Sequence, residues 1–114
     1  MWLMTTSGFF SIVRKYSKAH DEIRYHVRSR SKKDLENLLK LSKVNEDILV
    51  FRNSDYPHRI CVQKSQYEQI MQALMAEVEY SNFKSEVGRI PDQRHKEIAY
   101  HKIWAIMGDT EEAR

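Results

Sequence analysis

Arg24, His26, Arg28 and Arg30 recur at every second position of the stretch Glu22 to Arg30. In an extended strand, residues two apart share one face at a spacing of about 7 Å, comparable to successive phosphates along a single nucleic-acid strand. Such a row can hold a polyanionic backbone while Tyr or Phe from neighbouring strands stack bases. It also reads as a solvated strand face, or as charges that discourage pairing at a sheet edge. No glycine-aromatic RNA-recognition signature accompanies it.

A second group, Asp55, Tyr56, His58 and Arg59, sits at or just after a turn-rich segment. Loops on a rigid scaffold collect working residues, so His58 is a candidate base and Arg59 an anion clamp. Together with Tyr56 and Lys84 they form the candidate site of a metal-independent phosphodiester or nucleotide hydrolase. The structural alternative is an ordinary turn started by Asp55, with Arg59 paired to it. Arg59 also joins Arg24, His26, Arg28 and Arg30 as a candidate binding residue.

A third group follows Tyr80-Ser81-Asn82-Phe83-Lys84: Arg94, His95, Tyr100, His101 and Trp104. His95 and His101 are six apart, which does not put two ligands on one helix face, and neither a metal nor another cofactor is expected. A tyrosine and tryptophan stripe at helical spacing reads as core packing, though His101 could line a pocket. The chain has no glycine-rich phosphate loop, no Gly-x-Ser-x-Gly elbow and no paired-histidine metalloprotease motif. Its one cysteine, Cys61, lies in a predicted strand as a small hydrophobe.

The elements that must position these groups follow from periodicity. Trp2 to Lys15 reads as a strand or bent strand pair, with Gly8 marking a bulge or turn. Little chain precedes Trp2, so this end is expected to be sewn into the sheet. Glu22 to Arg30 is the clearest strand, its Ile23, Tyr25 and Val27 opposing the basic row. Ser31 with Asp34 announces a helix carrying Leu35, Leu38 and Leu39. Asp47 to Arg52 and His58 to Val62 read as a hairpin around Asn53 to Pro57. A second helix begins at the Ser65 and Glu68 cap and continues through Tyr67, Ile70, Met71, Leu74, Met75 and Val78.

Beyond these lie a short helix over Tyr80 to Val87, a stop at Gly88 to Pro91, and a final helix from Asp92 that Gly108 terminates. The expected fold is α+β: two successive strand-strand-helix units forming a four-stranded antiparallel sheet with helices on one face, plus C-terminal helices. One domain over residues 1–108 and a disordered acidic tail over 109–114 complete it.

Composition bounds this picture. The chain has 114 residues, 41% hydrophobic and 31% charged, enough apolar content for one core without metal or disulfide. A single cysteine suits a reducing, cytoplasmic setting. Met1 to Val13 lacks the basic leading region and cleavage pattern of a signal peptide, and no window has the apolar length of a membrane span. The net charge of +3 divides unevenly: residues 1–64 carry 13 Lys and Arg against 7 Asp and Glu, a net of +6, whereas residues 65–114 carry 6 against 9, a net of −3. A polyanionic or acidic partner is the corresponding expectation.

Met1-Trp2-Leu3, Gly8-Phe9-Phe10-Ser11, Val27-Arg28 before Asp34-Leu35, Asp55-Tyr56-Pro57-His58-Arg59, Tyr80-Ser81-Asn82-Phe83-Lys84 and Tyr100 followed by Trp104 span most of the chain. In this combination the chain resembles a family of small bacterial proteins of unassigned function. The resemblance implies a free-standing domain and transfers no active site or partner. The leading expectation from the residues themselves is a non-enzymatic binding or regulatory module whose basic sheet face engages single-stranded nucleic acid or an acidic protein. The alternatives are the hydrolase, and an oligomer, complex subunit or inhibitor of the phage or defence type acting by protein-protein contact.

Overall fold

The computed structural model describes residues 1–112. The chain forms an α+β fold in two compact units, one over Met1–Val78 and one from Glu79 onward. In the first unit, β1 (Trp2–Met4), β2 (Phe9–Ser17) and β3 (Glu22–Ser29) precede α1 (Lys32–Ser42). β4 (Leu49–Val50) and β5 (His58–Val62) then precede α2 (Lys64–Ala76). The sheet has the order β1-β2-β3-β5-β4, and every neighbouring pair is antiparallel.

Five strands replace the expected four, because the apolar N-terminal segment folds back on itself. The Thr5 N–H donates to the Gly8 carbonyl at 2.9 Å, and Thr5 Oγ1 accepts from the backbone N–H groups of Ser7 and Gly8 at 3.1 Å each. This turn makes β1 a separate strand, so the first unit is strand-strand-strand-helix and only the second is strand-strand-helix. The ladder extends to Met1, whose carbonyl accepts from Ile12 N–H at 2.8 Å. β4 is shorter than the expected Asp47 to Arg52, since Phe51 N–H already closes the loop onto the Pro57 carbonyl at 2.7 Å.

Alternation along the strands sends Phe10, Ile12, Tyr25, Val27, Ile60 and Val62 to the face that α1 and α2 cover with Leu35, Leu38, Ile70 and Leu74. Tyr25 on β3 stacks on Tyr67 of α2, with ring centroids 4.2 Å apart. Helix α1 starts as its sequence dictates: Ser31 Oγ accepts from Asp34 N–H at 3.2 Å. It ends at Lys43, a left-handed residue whose N–H donates to the Leu39 carbonyl. Helix α2 is capped at Gln63, two residues before the expected Ser65. There Gln66 Oε1 accepts from Gln63 N–H at 2.8 Å, doing the work assigned to Glu68.

The second unit comprises α3 (Phe83–Arg89), one 3-10 turn over Arg94–Lys96, and α4 (Glu97–Glu112). The short helix begins after Tyr80 because Asn82 caps it, accepting from Ser85 N–H at 2.9 Å. Gly88 lies inside α3 rather than at a stop, and α4 continues through Gly108 to Glu112. Asp109 to Glu112 are thus helical rather than a disordered tail; 113 and 114 lie outside the described residues. Within the expected aromatic stripe, Tyr100 is buried and stacks with Phe83 at 5.4 Å, whereas Trp104 is 63% exposed, with His101 and the Lys84 ammonium over its ring. No described helix is long and apolar enough to cross a membrane.

Candidate functional site

The face of the sheet away from α1 and α2 carries the basic row. Cα partners in adjacent antiparallel strands share a face, so the register draws one line across all five strands: Trp2, Ser11, Arg28, Arg59 and Leu49. Parallel to it run Val13, His26 and Cys61, then Lys15 and Arg24. β3 is the middle strand of the sheet, so its charges cannot serve to block pairing at an edge.

The four expected row members have different fates. Arg24 is neutralised: its Nε meets Glu22 at 2.7 Å, a guanidinium nitrogen lies 3.8 Å from Glu46, and the same nitrogen donates to the Cys61 carbonyl at 3.1 Å. His26 is only 4% exposed. Its Nε2 lies 3.2 Å from the Lys15 carbonyl, which can only accept, so Nε2 carries the proton and Nδ1 is an acceptor. Burial, followed by the positive charges of Arg59 and Lys15, holds the imidazole pKa below its ordinary value.

Arg28 and Arg30 make no ion pair with a carboxylate among the described residues. Arg28 donates to Ser11 Oγ at 2.7 Å, and its guanidinium lies 4.9 Å from the centroid of the Tyr56 ring. The Arg30 guanidinium lies 4.8 Å from the same ring. Arg59 joins them from β5. It is 6% exposed, donates to Ser54 Oγ at 3.3 Å, and lies 4.3 Å over Phe51. The expected Asp55–Arg59 pair is not made. The residues 51–57 loop therefore brings Phe51, Ser54 and Tyr56 to the basic row by hydrogen bonds and cation-ring contacts rather than by ion pairing.

Lys15, which the sequence reading did not single out, completes the group. Among the described residues no carboxylate forms an ion pair with Lys15, Arg28, Arg30 or Arg59. Burial and neighbouring positive charge act together on Lys15 and Arg59. The Lys15 ammonium is pushed below its usual range by burial and then by Arg59 and Arg28, and Arg59 is pushed down by burial and then by Arg28. Trp2 was read only as a sheet residue. The alternation of β2 carries a signal for Lys15, which lies two residues from Val13 and four from Ser11, but pairing was needed to place that face beside Arg28 and to bring Trp2 to its end.

The hydrolase candidates of the first unit do not converge. His58 is the Cα partner of Ser29 and Val50, and alternation along β5 directs it to the helix-covered face, opposite Arg59. The His58 Nδ1 atom is buried without a hydrogen-bond partner among the described residues. Tyr56 is buried beneath the Arg28 and Arg30 guanidiniums, and Lys84 belongs to the second unit. Cys61 Sγ lies 3.5 Å from His26 Nδ1, but burial pushes the thiol pKa up, the reverse of an activated nucleophile. Among the described residues no three His, Cys, Asp or Glu side chains are grouped to hold a metal. Compared with family models, with curated proteins and with solved structures, the chain matches none.

Proposed function

We propose that the protein is a non-enzymatic binding module that holds a polyanion along the basic face of its sheet. The observation that supports this reading is the group Lys15, Arg28, Arg30 and Arg59, four cations on or beside one face with no carboxylate paired to them. Like charges gathered in one place cost free energy, and a partner that supplies the missing anions recovers it. Guanidinium groups pair with phosphate and carboxylate alike; the match between residue spacing along β3 and successive phosphates of an extended strand is the ground for preferring single-stranded nucleic acid to an acidic protein surface. A cytoplasmic setting is consistent with this and with a thiol that stays reduced.

The test is binding of fluorescent oligothymidine and oligouridine across a salt series, with polyglutamate as the acidic-protein comparison. For each phosphate contacted, log affinity should fall by about 0.7 per log unit of salt. The variant Lys15→Gln, Arg28→Gln, Arg30→Gln should bind more weakly and with a shallower slope. Absence of binding at low salt, a triple variant that binds like the wild type, or a preference for polyglutamate would each refute the nucleic-acid reading.

A further inference from the structure

Trp2 occupies the end of the line that runs through Ser11, Arg28 and Arg59, and it is 72% exposed. An indole is a large apolar surface that folding usually buries, yet here it is left in water on the same face as the unpaired cations. The ring is nevertheless positioned. Phe9 meets it edge to face, with centroids 6.3 Å apart, and the Trp2 backbone is held in the β1–β2 ladder. Strands lie about 4.8 Å apart, so Trp2 is roughly 10 Å from Arg28 across the sheet, the reach of one or two nucleotides of extended single strand.

We infer that Trp2, backed by Phe9, is a stacking platform for an unpaired nucleobase whose phosphates lie on Arg28 and Arg30. The inference rests on the polyanion reading and goes beyond it by naming the part of the ligand that is not charged. The Asp and Glu side chains that charge an acidic peptide have no flat ring for Trp2 to stack on, and a duplex keeps its bases paired and stacked inside. A single strand offers both the charge that complements the row and a ring face for the indole. Stacking tolerates any base because every base has such a face, so weak sequence preference is expected.

The experiment compares oligothymidine with an abasic deoxyribose-phosphate oligomer of equal length, using the full chain as wild type, Trp2→Ala and Trp2→Phe. The wild type should prefer the oligomer with bases by about tenfold or more. Trp2→Ala should bring that preference close to unity while leaving abasic binding unchanged, and Trp2→Phe should restore most of it. In a Trp104→Phe background, where Trp2 is the remaining tryptophan, oligothymidine should quench its fluorescence and the abasic oligomer should not. Equal wild-type affinity for both oligomers would overturn the stacking role and leave the anion reading standing. Failure to bind either would overturn both. Concentration-dependent self-association abolished by Trp2→Ala, without any base preference, would assign the indole to contact between copies instead.

Discussion

Arg59 and His26 meet across β5 and β3, with a guanidinium nitrogen 3.3 Å from the imidazole Nδ1. Because Nε2 is committed to the Lys15 carbonyl, this contact requires His26 to be neutral. A protonated His26 would offer Arg59 a donor against a donor, and would add a positive charge where Lys15, Arg28 and Arg59 already gather. Cys61, on the neighbouring strand, is the remaining polar group against the ring.

The first prediction is acid sensitivity. The folded-state pKa of His26 is depressed, so the unfolded chain binds the proton more readily. Its contribution to stability is complete above about pH 6.5, the ordinary imidazole value, and is lost as pH falls below that toward the folded value. The loss is about 1.4 kcal/mol for each pH unit separating the two. Urea unfolding at pH 7.5 and 5.5 should show a clear drop for the wild type and a smaller one for His26→Gln. An identical drop in both would remove His26 as its source.

The second concerns Cys61, which is 1% exposed with its thiol pKa raised by burial. The native protein should resist alkylation by iodoacetamide at pH 8 and react at the rate of an ordinary thiol in denaturant. Mass spectrometry after timed quenching reads the difference. Native reactivity equal to the denatured rate would contradict this burial.

The third concerns Gly8 and Asp34. Asp34 is buried at the start of α1 and its Oδ2 accepts from Phe9 N–H at 3.0 Å, tying the helix to the first residue of β2. A Cβ at Gly8 would lie 2.5 Å from the Asp34 Cβ and Cγ. Gly8→Ala should therefore destabilise by about 1–3 kcal/mol through overpacking. Asp34→Ala should cost a similar amount, about 1–3 kcal/mol, by orphaning the Phe9 N–H. Chemical denaturation measures both, and a neutral Gly8→Ala would show that the two segments yield without cost.

The alternation of Glu22 to Arg30 identified the strand and the residues of its two faces, because side-chain direction in a strand is a local property of the backbone. Ser31 and Asp34 marked the start of α1 for the same reason, since a cap is made within one helical turn. The turn at Thr5 to Gly8 was less legible. Its hydrogen bonds are local, but the close approach of Asp34 that keeps position 8 free of a side chain comes from a residue 26 positions later.

By itself, then, the sequence determined an α+β chain with a basic face on one strand, because period-two alternation and helix caps are written in neighbouring residues. The tertiary structure decided which charges on that face remain available. Arg24 is withdrawn by Glu22 on its own strand and by Glu46, 22 positions away, while the register of β2 adds Lys15 and that of β1 sets the Trp2 indole beside the charges. Ion pairing and register depend on distances between remote segments, and those distances are set by how Phe10, Val27 and Ile60 pack beneath the helices.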